Sequence, residues 1–469
     1  MAAIITDPFK KHMLQSIFDQ AQIDSDGRLL GDSSDHFYYI GIGRSEGWDS
    51  SSDAVIPNPT DAPFSTRGAY AGLQSIKKHE GCTFTIPRKN WSSGAIYDAY
   101  DDQFTTNPTR SYYVMTEDNN VYICLQQGKN ATGGEVQSVI KPTGQATTPI
   151  KTADGYIWKY LYSVSGSKAA SFLTSNFMPI QKEERDGTVI TDAIRNQQFT
   201  VQLAAVPGSI ANISVIEGGT GYDAGTHPVI IQGDGNTALA TATASGGSIV
   251  KVEMDSAAAG GSGYNFASAI VTAGTPTTQA KLRPILSPTN GFGADPRDEL
   301  KSTSLMFTIK PEGAAAGNVG ADDFVIGNDF RQVMLIKNPR KASDNSIFKT
   351  QTARALRFIR LTDSADANNF TIDGTITGDT SAAKGHIDEI PSGPSGVLGK
   401  LFFHQNDSTG FNTFQEGETL NTNQGTIEKI LNDSDGIIRH GGDILYYENR
   451  APVFRDANQK EDIKVVITL

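Results

Sequence analysis

Tyr112-Tyr-Val-Met115 and Val121-Tyr-Ile-Cys-Leu125 flank the polar segment Glu117-Asp-Asn-Asn120. Both apolar runs are too short for helices and are rich in aromatic and β-branched residues. Separated by an Asp/Asn turn, they read as a β-hairpin. The same signature recurs along the chain. His36-Phe-Tyr-Tyr-Ile-Gly-Ile-Gly43 is a further strand, and Cys82-Thr-Phe-Thr-Ile86 alternates until Pro87 stops it. Tyr156-Ile-Trp-Lys-Tyr-Leu-Tyr162 and Ile463-Lys-Val-Val-Ile-Thr-Leu469 are also strands, and the last ties the tail into a sheet. Helical spacing of three and four is offered by Phe9, Met13, Leu14, Ile17 and Phe18, with Pro8 suited to a helix start. The 47 glycines and the abundant Ser, Thr, Asn and Asp residues favour tight turns over long helices. The expectation is a mainly β, multidomain chain, with a β-sandwich-type body, few short helices and two inserted small β-domains.

At 469 residues the chain is long enough for roughly two to four domains. Two stretches depart in composition from the rest. Residues 205–279 are rich in Gly, Ala, Ser and Thr and carry a faint duplication. Ile213-Ser-Val-Ile-Glu runs into Gly218-Gly-Thr-Gly-Tyr222, and Val250-Lys-Val-Glu-Met254 is followed by Gly260-Gly-Ser-Gly-Tyr264. The glycines supply positive φ for a turn, and each tyrosine can cap a small core. Residues 362–434 form the second stretch, with Phe370-Thr-Ile-Asp-Gly-Thr-Ile-Thr-Gly378, Gly399-Lys-Leu-Phe-Phe403, Phe411 and Phe414 as short strands and a modest aromatic core. The predicted layout is a core β domain of 1–90, 301–361 and 435–469. A second β domain spans 91–204 and 280–300, and 205–279 and 362–434 are the inserts.

The net charge is −12, and no Lys/Arg cluster is denser than pairs such as Lys77-Lys78. Binding phosphate backbones requires a concentrated positive face, so direct nucleic-acid binding is not expected. No apolar run approaches the roughly 20 residues of a membrane span, so no membrane is expected either. The N-terminus lacks the order of a signal peptide, which predicts synthesis and assembly in the cytoplasm. Cys82 and Cys124 read as buried thiols of a reducing compartment. Seven scattered histidines complete no ligand set, and neither metal nor cofactor is called for.

Gly43-Arg-Ser45-Glu-Gly47 satisfies the nucleophile-elbow pattern G-x-S-x-G. That chemistry needs a helix next, and Trp48-Asp-Ser-Ser-Ser-Asp53 followed by Ile56-Pro-Asn-Pro59 is not helical. The preferred reading is a sharp strand-end turn, with Arg44 and Glu46 paired to neighbours and Trp48 packed. Gly233-Asp-Gly-Asn236 has too few oxygens for a calcium loop and reads as a turn. Asp101-Asp102, Glu183-Glu184 and Asp322-Asp323 read as solvated pairs. No constellation argues for catalysis.

Six segments then occur in a telling order: Ile42-Gly-Arg-Ser-Glu-Gly-Trp48, Pro59-Thr-Asp61, Ile86-Pro-Arg-Lys-Asn-Trp91, Asp154-Gly-Tyr-Ile-Trp158-Lys-Tyr-Leu161, Phe330-Arg331-Gln-Val-Met-Leu-Ile-Lys-Asn-Pro339 and Arg439-His-Gly-Gly-Asp-Ile-Leu-Tyr-Tyr-Glu448-Asn449-Arg450-Ala-Pro452. The series resembles the baseplate wedge subunit encoded by gene eight of T-even-type contractile-tailed phages. The resemblance runs from near residue 40 to the end and is poor over 205–279 and 362–434. It implies a mainly β, dimeric virion protein that bridges neighbouring wedge proteins and repacks its interfaces when sheath contraction is triggered. The inserts would reach tail-fibre or peripheral baseplate proteins. Gly43, Arg44, Ser45, Glu46, Trp48, Trp91, Trp158, Arg331, Arg439, Glu448, Asn449 and Arg450 are then structural motif residues. Arg44, Glu46, Arg439, Glu448 and Arg450 are expected to form buried ion pairs, and Glu448-Asn-Arg450-Ala-Pro452 to form a turn. Tyr38, Tyr39, Trp48, Trp91, Tyr446 and Tyr447 suit a core better than an interface. Two other classes stay open: a carbohydrate-binding fibre or adhesin module built on the inserts, and a hydrolase using Ser45.

Overall fold

The structure, a computed structural model, describes all residues except 1–3, 22–35, 49–52, 54, 106–107, 185–191, 273–274, 312–323, 392–398, 433–435 and 457–460. Strands take 40% of the chain and helices 12%, so the fold is mainly β, as the turn-rich composition predicts. It divides into two compact units, one of residues 1–12, 83–304 and 468–469, the other of 13–82 and 305–467.

In the first unit the predicted hairpin forms. Strands Tyr113–Met115 and Asn120–Gln126 pair antiparallel, Val114 facing Tyr122, with Asn119 in the left-handed region at φ 58°. Ile157–Ser163 pairs on the other side of Asn120–Gln126, and Ile150–Lys151 completes the sheet. Tyr97, Tyr122, Cys124, Tyr156, Trp158 and Tyr160 form its core, which accounts for the aromatic density of these strands. A second pairing joins Phe84 to Ile180 and Ile86 to Met178.

The Gly-rich stretch of this unit is a six-stranded sheet whose internal order follows the duplication. Strand Ile210–Glu217 leads through Gly218-Gly-Thr-Gly-Tyr222 to Gly225–Gly233 and Ala240–Ser245. Ser248–Met254 leads through Gly260-Gly-Ser-Gly-Tyr264 to Ala267–Val271 and Lys281–Leu286. The sheet order is symmetric about its centre, where Gly225–Gly233 pairs with Ala267–Val271 and Val229 faces Val271. Thr220 bridges Thr278 and Asn236 bridges Ser262, and each of Thr220–Ser262, Asn236–Thr278 and Val229–Val271 is 42 residues apart. The halves clasp one another. Ile249 N–H donates to Gly218 O at 2.8 Å, and Ile210 N–H donates to Gly260 O at 2.8 Å. Gly219 (φ 64°) and Gly261 (φ 63°) occupy equivalent left-handed positions, and Tyr222 and Tyr264 are both buried. The duplication is thus a pseudo-twofold in which each half closes on the start of the other.

The second unit carries a five-stranded sheet in the order Thr352–Arg354, Leu73–Lys78, Tyr38–Gly43, Asp329–Lys337, Asp443–Phe454. Tyr38–Gly43 is buried along its whole length, which explains its unbroken apolar sequence. A six-stranded sheet runs Thr375–Thr377, Lys384–Glu389, Lys400–His404, Arg357–Leu361, Gly425–Asn432, Thr419–Leu420 around Ile359, Phe370, Ile387, Leu401, Phe403 and Phe414. Ile463–Thr468 belongs to a sheet beside Ser304–Ile309.

Several local expectations change. Phe411 is 58% exposed and not part of the aromatic core. Glu448-Asn-Arg450-Ala-Pro452 is no turn but the middle of strand Asp443–Phe454. Cys124 is buried, whereas Cys82 is only partly so. Helix Asp7–Gln20 forms as predicted, although only Leu14 on it is buried. Among the described residues no helix is long and apolar enough to cross a membrane.

Candidate functional site

Strand Tyr38–Gly43 ends at a point where the backbone is crowded. A Cβ on Gly43 would stand 2.5 Å from Gly72 O, and Arg44 N–H donates to that same carbonyl at 2.8 Å. Arg44 then adopts φ 59°, turning the chain out of the sheet. This left-handed step delivers Ser45 and Glu46 to the six-stranded sheet of the same unit.

That sheet meets them with a β-bulge. His386 pairs with His404, Ile387 with Phe403 and Glu389 with Phe402, so Asp388 is the extra residue. A bulge re-aims the side chain it carries, and here the result is a buried chain of polar contacts. Ser45 Oγ donates to Asp388 Oδ1 at 2.7 Å. His404 Nδ1 lies 2.7 Å from Asp388 Oδ2, and His404 Nε2 lies 3.1 Å from Glu46 Oε2. Asn406 Nδ2 donates to Glu46 Oε1 at 2.9 Å, and Gln74 Nε2 donates to Asp388 Oδ1 at 3.3 Å. Asp388 and His404 are fully buried, and Ser45 is 4% exposed.

The electrostatics follow from this sandwich. Burial opposes a charge on His404, but the Asp388 and Glu46 carboxylates outweigh it and raise the imidazole to about 10. Burial likewise opposes the Glu46 charge, yet His404 and Arg44 bring its carboxyl down to about 2. The histidine is therefore an imidazolium at neutral pH, with both N–H groups donated to carboxylates.

The chemical consequence is specific. A serine nucleophile needs its proton taken by a neutral imidazole. Here Ser45 donates to a carboxylate, and His404 has no free lone pair. What the arrangement does is fasten the strand-end loop to the bulged strands.

Neighbouring motif residues hold Trp48, Asp53 and Pro57 beside it. Arg331 donates to the Ser45 carbonyl and grips Asp53 bidentately, Nε to Oδ1 and Nη2 to Oδ2 at 2.8 Å each. The Arg44 guanidinium lies 4.3 Å from the Trp48 ring centroid and 3.5 Å from Glu46. Trp48 Nε1 donates to Arg450 O at 2.9 Å, and Asn449 Nδ2 donates to Pro57 O at 2.8 Å. Gly43, Arg44, Ser45, Glu46, Trp48, Arg331, Asn449 and Arg450 thus converge on one loop.

The remaining predicted residues act elsewhere. Among the described residues Arg439 forms no ion pair with an acid; its guanidinium donates to Ala355 O and Ala71 O, and burial pulls it down to about 10. Glu448 and Arg450 pair at 3.5 Å, but both side chains are 41% exposed, so that bridge is not buried. In the other unit Trp158 is fully buried and stacked on Tyr156, and half-buried Trp91 donates to Ser138 Oγ. Tyr38 and Tyr39 are core residues, while Tyr446 and Tyr447 are half-buried.

Of the carboxylate pairs read as solvated, Asp102 and Glu184 are exposed as expected, whereas Asp101 is half-buried and Glu183 is buried. Asp101 and Asp102 hold Arg283 at 2.5 Å each, and Glu183 is 3% exposed with Arg195 Nε at 2.8 Å. Asp322-Asp323 lies outside the described residues. His79 is buried edge-on to Phe307 and Tyr38. Among the described residues no group of three His, Cys, Asp or Glu is placed to hold a metal ion.

The residues that complete the clamp, Asp388, His404, Asn406, Gln74 and Asp53, were not signalled by motif. His404 lies 358 positions from Glu46, and only the bulge geometry brings the two together. Compared with protein-family models and with curated protein sequences, the chain matches none.

Proposed function

We propose that the chain is a structural subunit of a contractile-tail baseplate wedge, assembled in the host cytoplasm, carried in the virion, and acting as a dimer that bridges neighbouring wedge proteins. The observation that carries this reading is the clamp. The polar residues of the Gly43–Trp48 motif, where a catalytic reading places its nucleophile, are engaged in holding that motif against the bulged strands. A protein that transmits force between neighbours requires fixed loops on rigid sheets rather than a mobile reactive group. Mixing the purified chain with the other wedge proteins of the same phage tests the proposal. Analytical ultracentrifugation should find a stable complex containing two copies of this chain, and separate sedimentation would reject it.

A second reading has one observation in its favour. Phe64 and Phe411, 63% and 58% exposed, line a cavity of about 330 Å³ together with Arg67, Asp407 and His440. Exposed rings beside charged donors suit a sugar, and a host-glycan array would reveal such an adhesin role.

A further inference from the structure

In the first unit a cavity of about 130 Å³ opens beside the Gly-rich sheet, at the point where Gly260 O receives Ile210 N–H. Its walls are mainly apolar, with Leu125, Ile157, Met254 and Phe292 among them, beside Thr147, Thr148 and Ser209. Among the described residues one charged group lines it. Lys159 projects from strand Ile157–Ser163 and is 3% exposed. Its ammonium donates to the Thr147 carbonyl, and among the described residues no acidic side chain forms an ion pair with it.

A buried ammonium without an anionic partner is costly, and here its side chain lines a space close in size to one that holds benzene. Glu299, an acid that acts on it electrostatically, does not neutralise it. Burial raises that carboxyl to about 8, and its Oε1 is occupied by Gly293 and Asp295 N–H. Burial draws Lys159 itself down to about 8, which leaves it mostly charged at neutral pH.

We propose that this cavity binds a small organic monoanion of about six non-hydrogen atoms, a short-chain carboxylate, with its head on Lys159 and its tail against Leu125, Ile157, Met254 and Phe292. The ligand ties the Thr147–Pro149 segment to the Gly-rich sheet, since both line the site.

Isothermal titration of the full chain with sodium butyrate tests this, with n-butylammonium chloride as the charge-reversed control. Saturable butyrate binding is expected, together with no butylammonium binding. Lys159→Met should weaken butyrate at least about tenfold. Ala258→Trp should do the same, because Ala258 is exposed at the cavity and a large ring there closes it. Circular dichroism establishes that each variant is folded. Should Lys159→Met fail to fold, Ala258→Trp decides alone. Absence of saturable butyrate binding, equal binding of the two ligands, or undiminished binding in a folded variant would overturn the proposal.

Discussion

His404 and Asp388 meet at 2.7 Å with both side chains completely buried, on adjacent strands whose register slips by one residue to bring them together. Glu46 closes the other side of the imidazole from a loop more than 300 residues away in sequence. Deleting the central cation leaves the buried Asp388 carboxylate facing the half-buried Glu46 carboxylate. Removing one partner of a buried pair typically costs about 3–5 kcal/mol, and His404→Ala is expected to destabilise the chain by that amount in urea unfolding. Ser45→Ala removes a single hydrogen bond, with an expected cost of about 1–2 kcal/mol.

The clamp also fixes a pH signature. His404 is raised to about 10 when folded, against an unfolded value of about 6.5. Its stabilisation is therefore full below about pH 6.5 and is lost as pH rises through about 10. Glu46 is lowered to about 2, so its contribution is present above about pH 4.5 and is lost as pH falls through about 2. Melting temperatures should decline from pH 6.5 to pH 10 in the wild type. His404→Gln should flatten that decline while lowering stability at pH 6.

Arg331 makes two parallel bonds to Asp53 and a third to the Ser45 carbonyl. A lysine keeps the charge but not the fork. Arg331→Lys is expected to cost about 1.5–3 kcal/mol, and limited proteolysis should cut faster within residues 45–60.

The pseudo-twofold makes a paired prediction. A Cβ on Gly219 would stand 2.4 Å from Thr278 O, and one on Gly261 would stand 2.3 Å from Asn236 O, both at positive φ. Gly219→Ala and Gly261→Ala are expected to destabilise by similar amounts, at least about 1–3 kcal/mol each. Differential scanning calorimetry of the two variants compares them directly. A large effect at one site and none at the other would contradict the equivalence of the halves.

Legibility in the sequence followed the range of the interactions. The Tyr113–Gln126 hairpin and the two Gly-Gly-x-Gly-Tyr turns are local, so alternation and turn chemistry reveal them. The strand-end turn at Arg44 was readable for the same reason. His404 was not, because a bulge at Asp388 and a chain separation of 358 residues leave no periodic trace. Glu183 misled through its polar neighbours: its partner Arg195 stands on a helix, Ala193–Leu203, that local composition does not connect with it. Arg439 looked like half of an ion pair, but backbone carbonyls, which sequence does not mark, are its acceptors.

Quantitative mass spectrometry of purified phage tails tests the central proposal most directly. The account expects this chain at a fixed ratio of two copies per wedge, alongside the other baseplate proteins. Its absence from the particle, or a trace and variable amount, would contradict a structural role in the wedge.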